Sequence, residues 1–132
     1  MSQENVEVVR RIFDRWASGD FIAGLNDLDR YVLFVVRPPF PEFGVVVGPD
    51  QIRDYMRRFL DNWERYAVEA TELQSVGDTV LAHAVQRGEG KASRIEIEQP
   101  FFMLFTFRGA KIVRIESVLE EEQAHEAAGL KE

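Results

Sequence analysis

Apolar positions at the start of the chain recur at helical spacing. Val6, Val9, Ile12, Phe13 and Trp16 follow an i, i+3, i+4, i+7 stripe, which predicts an amphipathic helix over residues 3–18. Ser2 is placed to cap it, and Glu4 suits its first turn. Gly19 supplies a left-handed stop. Asp20 then stands as the cap of a second, short helix whose apolar side is Phe21, Ile22, Leu25 and Leu28. The period changes at Tyr31. Tyr31 to Val36 is β-branched and aromatic and predicts a strand, which Pro38, Pro39 and Pro41 end in a rigid loop. Val45 to Val47 predicts a short second strand. Gly48-Pro49-Asp50 opens a third helix, with Ile52, Tyr55, Met56, Phe59, Leu60 and Trp63 as its stripe.

From residue 66 onward the pattern is strand-like almost to the end. Segments 66–75, 79–87, 94–107 and 111–119 are separated by Gly77-Asp78, Gly88-Glu89-Gly90 and Gly109-Ala110, which read as hairpin turns. Helices segregated from an antiparallel sheet define an α+β fold. The expected form is a curved, mostly antiparallel sheet wrapped around three N-terminal helices, leaving a cone-shaped cavity. The whole of 1–132 reads as one domain with its core in about 3–120. Residues 121–132 read as an acidic helical tail in solvent.

Composition narrows the chemistry. The 132 residues are 45% hydrophobic and 30% charged, which suits a globular core. A net charge of -7 argues against nucleic acid and anionic membranes as partners, since phosphate requires a positive field. With no cysteine there is neither a thiol nucleophile nor a cysteine metal site, and two histidines cannot make a three-histidine zinc site. No metal and no cofactor are expected. The longest apolar runs, Val32–Val36 and Phe101–Phe105, are far too short to span a membrane, and the acidic first twenty residues lack a signal peptide's apolar run. A cytoplasmic location is the expectation.

Several phrases carry a family resemblance. They are Val8-Val9-Arg10-Arg11 leading to Ala17-Ser18-Gly19-Asp20-Phe21, then Gly48-Pro49-Asp50-Gln51-Ile52, Phe105-Thr106-Phe107-Arg108-Gly109 and Lys111-Ile112-Val113-Arg114-Ile115-Glu116. Over about residues 3–120 the chain resembles the nuclear-transport-factor-2-like superfamily, nearest its SnoaL-like polyketide cyclase and ketosteroid isomerase branch. Such folds host isomerases, dehydratases, hydrolases, cyclases and pure binding modules. Ketosteroid isomerisation needs an Asp base, a Tyr on the first helix and a protonated Asp. Alignment on the resemblance puts Arg37, Ile12 and Met103 at those three places, so steroid-type proton shuttling is not expected.

Alternation along the strands nominates the cavity wall. Leu81, His83, Val85 and Arg87 share one face of the fourth strand, opposite Val80, Ala82, Ala84 and Gln86. Ile95, Ile97, Gln99, Phe101, Met103, Phe105 and Phe107 share a face of the fifth, and Val113, Ile115, Ser117 and Leu119 one of the sixth. The resemblance puts the His83 set and these two on the concave side, with Arg37 joining from the first strand. Trp16, Tyr55 and Trp63 would close the cavity from the helices.

His83 is then a candidate acid or base, or else a hydrogen-bonded wall histidine. Arg87 and Arg37 are candidate anion anchors, or else members of structural ion pairs. Gln99, Met103 and Ser117 complete the candidate ligand contacts. A dehydratase would need a second His or an Asp beside His83, and an epoxide hydrolase two carboxylates flanking an Arg; neither is found in these sets. The other face carries Glu96, Glu98, Glu116, Arg94, Arg108 and Arg114, which read as exposed cross-strand charge pairs. With Phe102, Leu104 and Thr106 that face is also a candidate homodimer interface, which the resemblance favours.

Two readings of function stay open. One is a cyclase- or isomerase-like enzyme acting on a small, partly apolar, anionic or neutral molecule, with His83 and Arg87 as its polar groups. The other is a non-catalytic ligand-binding or assembly module that has lost the acid-base residues.

Overall fold

The computed structural model describes residues 2–21 and 24–130. Helix α1 (Ser2–Ala17) opens the chain. A 3₁₀ turn (Leu25–Asp27) leads into β1 (Leu28–Val36) and β2 (Gly44–Val47). Helix α2 (Pro49–Leu60) follows, then four long strands: β3 (Trp63–Val76), β4 (Thr79–Gly90), β5 (Glu96–Arg108) and β6 (Lys111–Val118). Helix α3 (Glu121–Ala128) closes the chain. The sheet runs β2-β1-β6-β5-β4-β3, antiparallel throughout except where β1 meets β6, and it is not closed. This is the expected α+β architecture. No helix among the described residues is long and apolar enough to cross a membrane.

The concave face of the sheet is built in cross-strand rows. Tyr66, Gly88 and Ile97 form one row, Val68, Gln86 and Gln99 the next, then Ala70, Ala84 and Phe101, then Leu73, Ala82, Met103 and Ser117. Small side chains at Ala70, Ala82 and Ala84 let α1 settle across β3 and β4. Its stripe of Val9, Ile12 and Phe13 is buried there. Trp16 packs edge-on against Phe13, with centroids 5.0 Å apart. Gly19, at φ 94°, takes the left-handed turn after α1.

Several expectations are corrected. The second N-terminal helix shrinks to the 3₁₀ turn, and Leu28 begins β1; Ile22 lies outside the described residues. Helix α2 stops at Leu60, so Trp63 is the first residue of β3 rather than the last of the helical stripe. The Asn62 side-chain amide donates to the Arg58 carbonyl, and the Asn62 carbonyl accepts the Lys91 N–H at 2.9 Å, which draws the chain into the sheet. Gly88-Glu89-Gly90 is not a turn: β4 runs through it, and the reversal falls at residues 91–93.

The largest correction concerns the convex face. Helix α3 is docked on it rather than solvated. Ala124 is fully buried against Leu81, Leu104 and Val118, with Phe102, Ala128 and Leu130 around them. Glu120 and Gln123 form a reciprocal capping box, and Gln123 Nε2 also donates to the Pro38 carbonyl at 3.1 Å. Glu116, read as exposed, is buried between Arg37 and Arg114.

Candidate functional site

A cavity of about 710 Å³ opens between the concave sheet, α1, α2 and the proline-rich loop after β1. Its wall is apolar over most of its extent, with Ile12, Phe34, Ile52, Met56, Phe101 and Phe105 among the lining side chains. Of the residues nominated from sequence, the fold brings Trp16, Tyr55, Trp63, Gln99, Met103 and Ser117 to this wall. Trp16 comes from α1 and Tyr55 from α2. Trp63 comes from β3, where it lies over Gly88.

His83, Arg87 and Arg37 are not there. The face of β4 turned to the cavity carries Val80, Ala82, Ala84 and Gln86, so Leu81, His83, Val85 and Arg87 point the other way. His83 packs edge-on against Phe102 on the convex side. Arg87 is paired with Glu69 at 2.6 Å and Glu98 at 3.2 Å, and its pKa is held above the ordinary value first by the hydrogen bond to Glu69. Arg37 reaches Glu116. On β6 a register shift opposite Thr106 and Phe107 displaces Val113 and turns Ile112 into the core instead.

Alternation alone could not orient β4, because both of its faces are apolar. The larger side chains, Leu81 and Val85, suggest the inner face, yet Leu81 is buried under α3 on the outside and Val85 is only half-buried. The sequence pattern therefore hid Gln86, which lies with Tyr66, Glu42 and Phe59 on the cavity wall. Gln86 is 8% exposed and is held from both sides. Tyr66 Oη donates to Gln86 Oε1 at 2.6 Å, and Gln86 Nε2 donates to Gln99 Oε1 at 2.8 Å. The chain Tyr66–Gln86–Gln99 ends in the Gln99 amide N–H₂, an uncharged donor set in an apolar wall.

Both cavity tyrosines stay protonated well into alkaline solution. Burial, then the Glu42 carboxylate, pushes Tyr55 up to about 12; Arg58 acts in the opposite direction. Tyr66 is raised further, by burial first and then by Glu42 and Tyr55. Tyr55 Oη also contacts the Glu42 carbonyl at 3.4 Å. Glu96 and Glu98 border the cavity, but their carboxylates are taken by Arg65 and Arg87. No Lys, Arg or His is among the described residues lining the cavity, and nowhere among the described residues do three His, Asp or Glu side chains converge to hold a metal ion. This wall can orient a neutral carbonyl or hydroxyl oxygen and exclude water from the atoms beside it. It offers no counter-charge for an anion.

The SnoaL-like domain family matches residues 9–115, and the chain belongs to that family. Its fold is shared by an NTF2-like protein of unknown function from Burkholderia pseudomallei K96243, 15% identical, with a TM-score of 0.79 over 93% of this chain and 95% of that one. A protein assigned to the SnoaL-like polyketide cyclases from Jannaschia sp. CCS1 is 17% identical, with a TM-score of 0.78 over 99% and 95%. A protein of ketosteroid isomerase-like fold from Catenulispora acidiphila DSM 44928, in complex with trimethylamine, is 21% identical, with a TM-score of 0.75 over 95% and 94%. No curated protein matches the chain.

Proposed function

We propose that the cavity binds a small, largely apolar molecule through a carbonyl oxygen, and that the chain acts on it as a cyclase- or isomerase-like enzyme. The observation that carries this reading is the chain Tyr66–Gln86–Gln99, which ends in an amide donor inside an apolar cavity of about 710 Å³. A carbonyl placed against Gln99 gains a hydrogen bond in surroundings that strengthen it, and negative charge on that oxygen is stabilised by the same donor. Trp16, Tyr55, Trp63, Met103 and Ser117 supply the remaining contacts. An anionic substrate is not favoured, since Arg37 and Arg87 are committed to carboxylates outside the cavity. The likeness in fold to a protein assigned as a polyketide cyclase supports the enzymatic form of the reading over an empty scaffold.

Quenching of tryptophan emission by anthraquinone, a planar neutral diketone, tests it. The protein should bind the probe, Gln99→Leu should weaken binding by about five- to tenfold, the worth of one hydrogen bond, and Met103→Trp should fill the cavity and abolish binding. Unchanged affinity in both variants would place the probe elsewhere and reject the site. Native mass spectrometry of freshly purified protein would identify any retained ligand.

The reading includes a second copy of the chain on the convex face, at a place shifted from the one the sequence suggested. Phe102 and Leu104 lie under α3, so they are covered within one subunit. Beyond α3, Tyr31, Leu33 and Val35 of β1 and Val45 and Val47 of β2 share that face. Tyr31 is 70% exposed and Val45 59%. That strip is the apolar surface a partner copy would cover.

A further inference from the structure

We propose that the cavity mouth is a site for a protonated or quaternary amine, so that the molecule bound in the cavity carries an ammonium group at its outer end. This rests on the cavity being the ligand site. Four aromatic side chains line that part of the wall and touch one another. Phe59 and Tyr66 have centroids 5.0 Å apart, Trp63 and Tyr66 5.4 Å, Phe21 and Tyr66 5.7 Å, and Phe59 and Trp63 5.9 Å. Tyr55 stands beside them on α2, with its hydroxyl at the Glu42 carbonyl. A ring cluster of this kind attracts a cation through its π-faces.

The charge at the mouth has the matching sign. Glu42 borders the cavity, and no ion pair to its carboxylate is found among the described residues. Glu42 lines the same cavity as the four rings, its backbone carbonyl accepts from Tyr55 Oη, and its negative charge helps to raise both Tyr55 and Tyr66. Arg58 also acts on Tyr55, but it is exposed on α2 and does not line the cavity. The other acidic residues bordering the cavity, Glu96 and Glu98, are paired outward, so the carboxylate left to meet a ligand is that of Glu42. The overall charge of -7 adds a long-range pull on cations at low ionic strength. A neutral, apolar ligand would gain nothing from Glu42, whereas a cation gains from both the rings and the carboxylate.

The test compares benzyltrimethylammonium with neopentylbenzene, its neutral isostere, by isothermal titration or by tryptophan quenching. The cation should bind about fivefold more tightly than the isostere, the range expected for a cation–π contact assisted by a partly exposed carboxylate. Glu42→Gln should remove most of that preference, and Trp63→Leu should weaken the cation more than the isostere. Phe59→Leu serves in its place if Trp63→Leu does not fold. If the isostere binds as tightly as the cation, the amine site is rejected while the cavity reading stands. If neither probe binds, both are rejected. A preference that survives Glu42→Gln would also overturn the proposal, because the cation would then owe it to another group.

Discussion

Gly88 holds the wall of the cavity open for Trp63, and a single methyl group there should be felt. A Cβ built on Gly88 would sit 2.7 Å from the Arg65 carbonyl and 2.8 Å from Trp63 Cε3. Ordinary contact begins near 3.4 Å, so both neighbours would have to move by more than half an ångström. One of them is backbone in the paired strand β3, where Tyr66 lies directly across from Gly88. Overpacking of this kind costs about 1–3 kcal/mol. Alanine returns about 0.5–1 kcal/mol by restricting the unfolded chain. The net loss for Gly88→Ala is therefore about 0–2.5 kcal/mol, equivalent to a fall of up to about 10 °C in melting temperature for a domain of this size. Calorimetry measures the fall, and steady-state fluorescence should show a changed Trp63 environment, read against a Trp63→Phe background. A variant that melts at or above the parent temperature with an unaltered emission spectrum would show that the indole does not lie over Gly88.

Leu104→Asp should destabilise the subunit itself, by about 3–5 kcal/mol, because it puts an unpaired carboxylate under α3. Increased binding of a hydrophobic dye at any protein concentration checks this, and a pure change of oligomeric state with unchanged stability would contradict it. Val45→Asp, at an exposed edge position, should leave the fold intact and turn a dimer into a monomer in light scattering; a dimer that survives it uses another surface. Tyr55 is raised to about 12 from 10.0, and Tyr66 is raised as well, so the folded protein keeps protons that the unfolded chain loses. Their contribution to stability is whole below pH 10 and is lost as pH rises through the folded-state values. Denaturation midpoints should fall above about pH 10, and the double variant Tyr55→Phe, Tyr66→Phe should flatten that fall.

The hydrophobic pattern carried the fold because most elements pack on one side only. Helix α1 buries one stripe, and on β1 Val32, Phe34 and Val36 face the core while Tyr31 stays in solvent, so the period and the orientation are read together. The pattern failed where an element is covered twice. On β4, Val80, Ala82 and Ala84 meet α1 while Leu81 meets α3, and nothing in the strand itself says which apolar set faces the cavity. The clue lay elsewhere: Phe102 and Leu104 make the outer face of β5 apolar too, and a strip of that kind needs a cover, which Ala124, Ala128 and Leu130 supply. The reversed orientation of β4 sent His83 and Arg87 to the wrong side and concealed Gln86. The end of α2 was missed for a milder reason. Trp63 is four residues after Phe59 and continues the helical stripe in sequence, yet the Lys91 N–H draws the Asn62 carbonyl into the sheet first. Trp63 still reaches the cavity.

The links between Tyr66, Gln86 and Gln99 have a property that a row of charged groups would lack. Each member is able both to give and to accept a hydrogen bond. Half-turns of the two carboxamides and a rotation of the phenolic proton reverse the row. Gln86 Nε2 would then donate to Tyr66, Gln99 Nε2 to Gln86, and the Gln99 oxygen rather than its N–H₂ would meet the bound molecule. The reversal keeps two bonds within the row, turns the Tyr66 proton away from Gln86, and moves no charge through the wall. A carbonyl and the enol formed from it present opposite hydrogen-bonding faces, one an acceptor and the other a donor. The row can therefore present either a donor or an acceptor at Gln99 without a charge entering the wall.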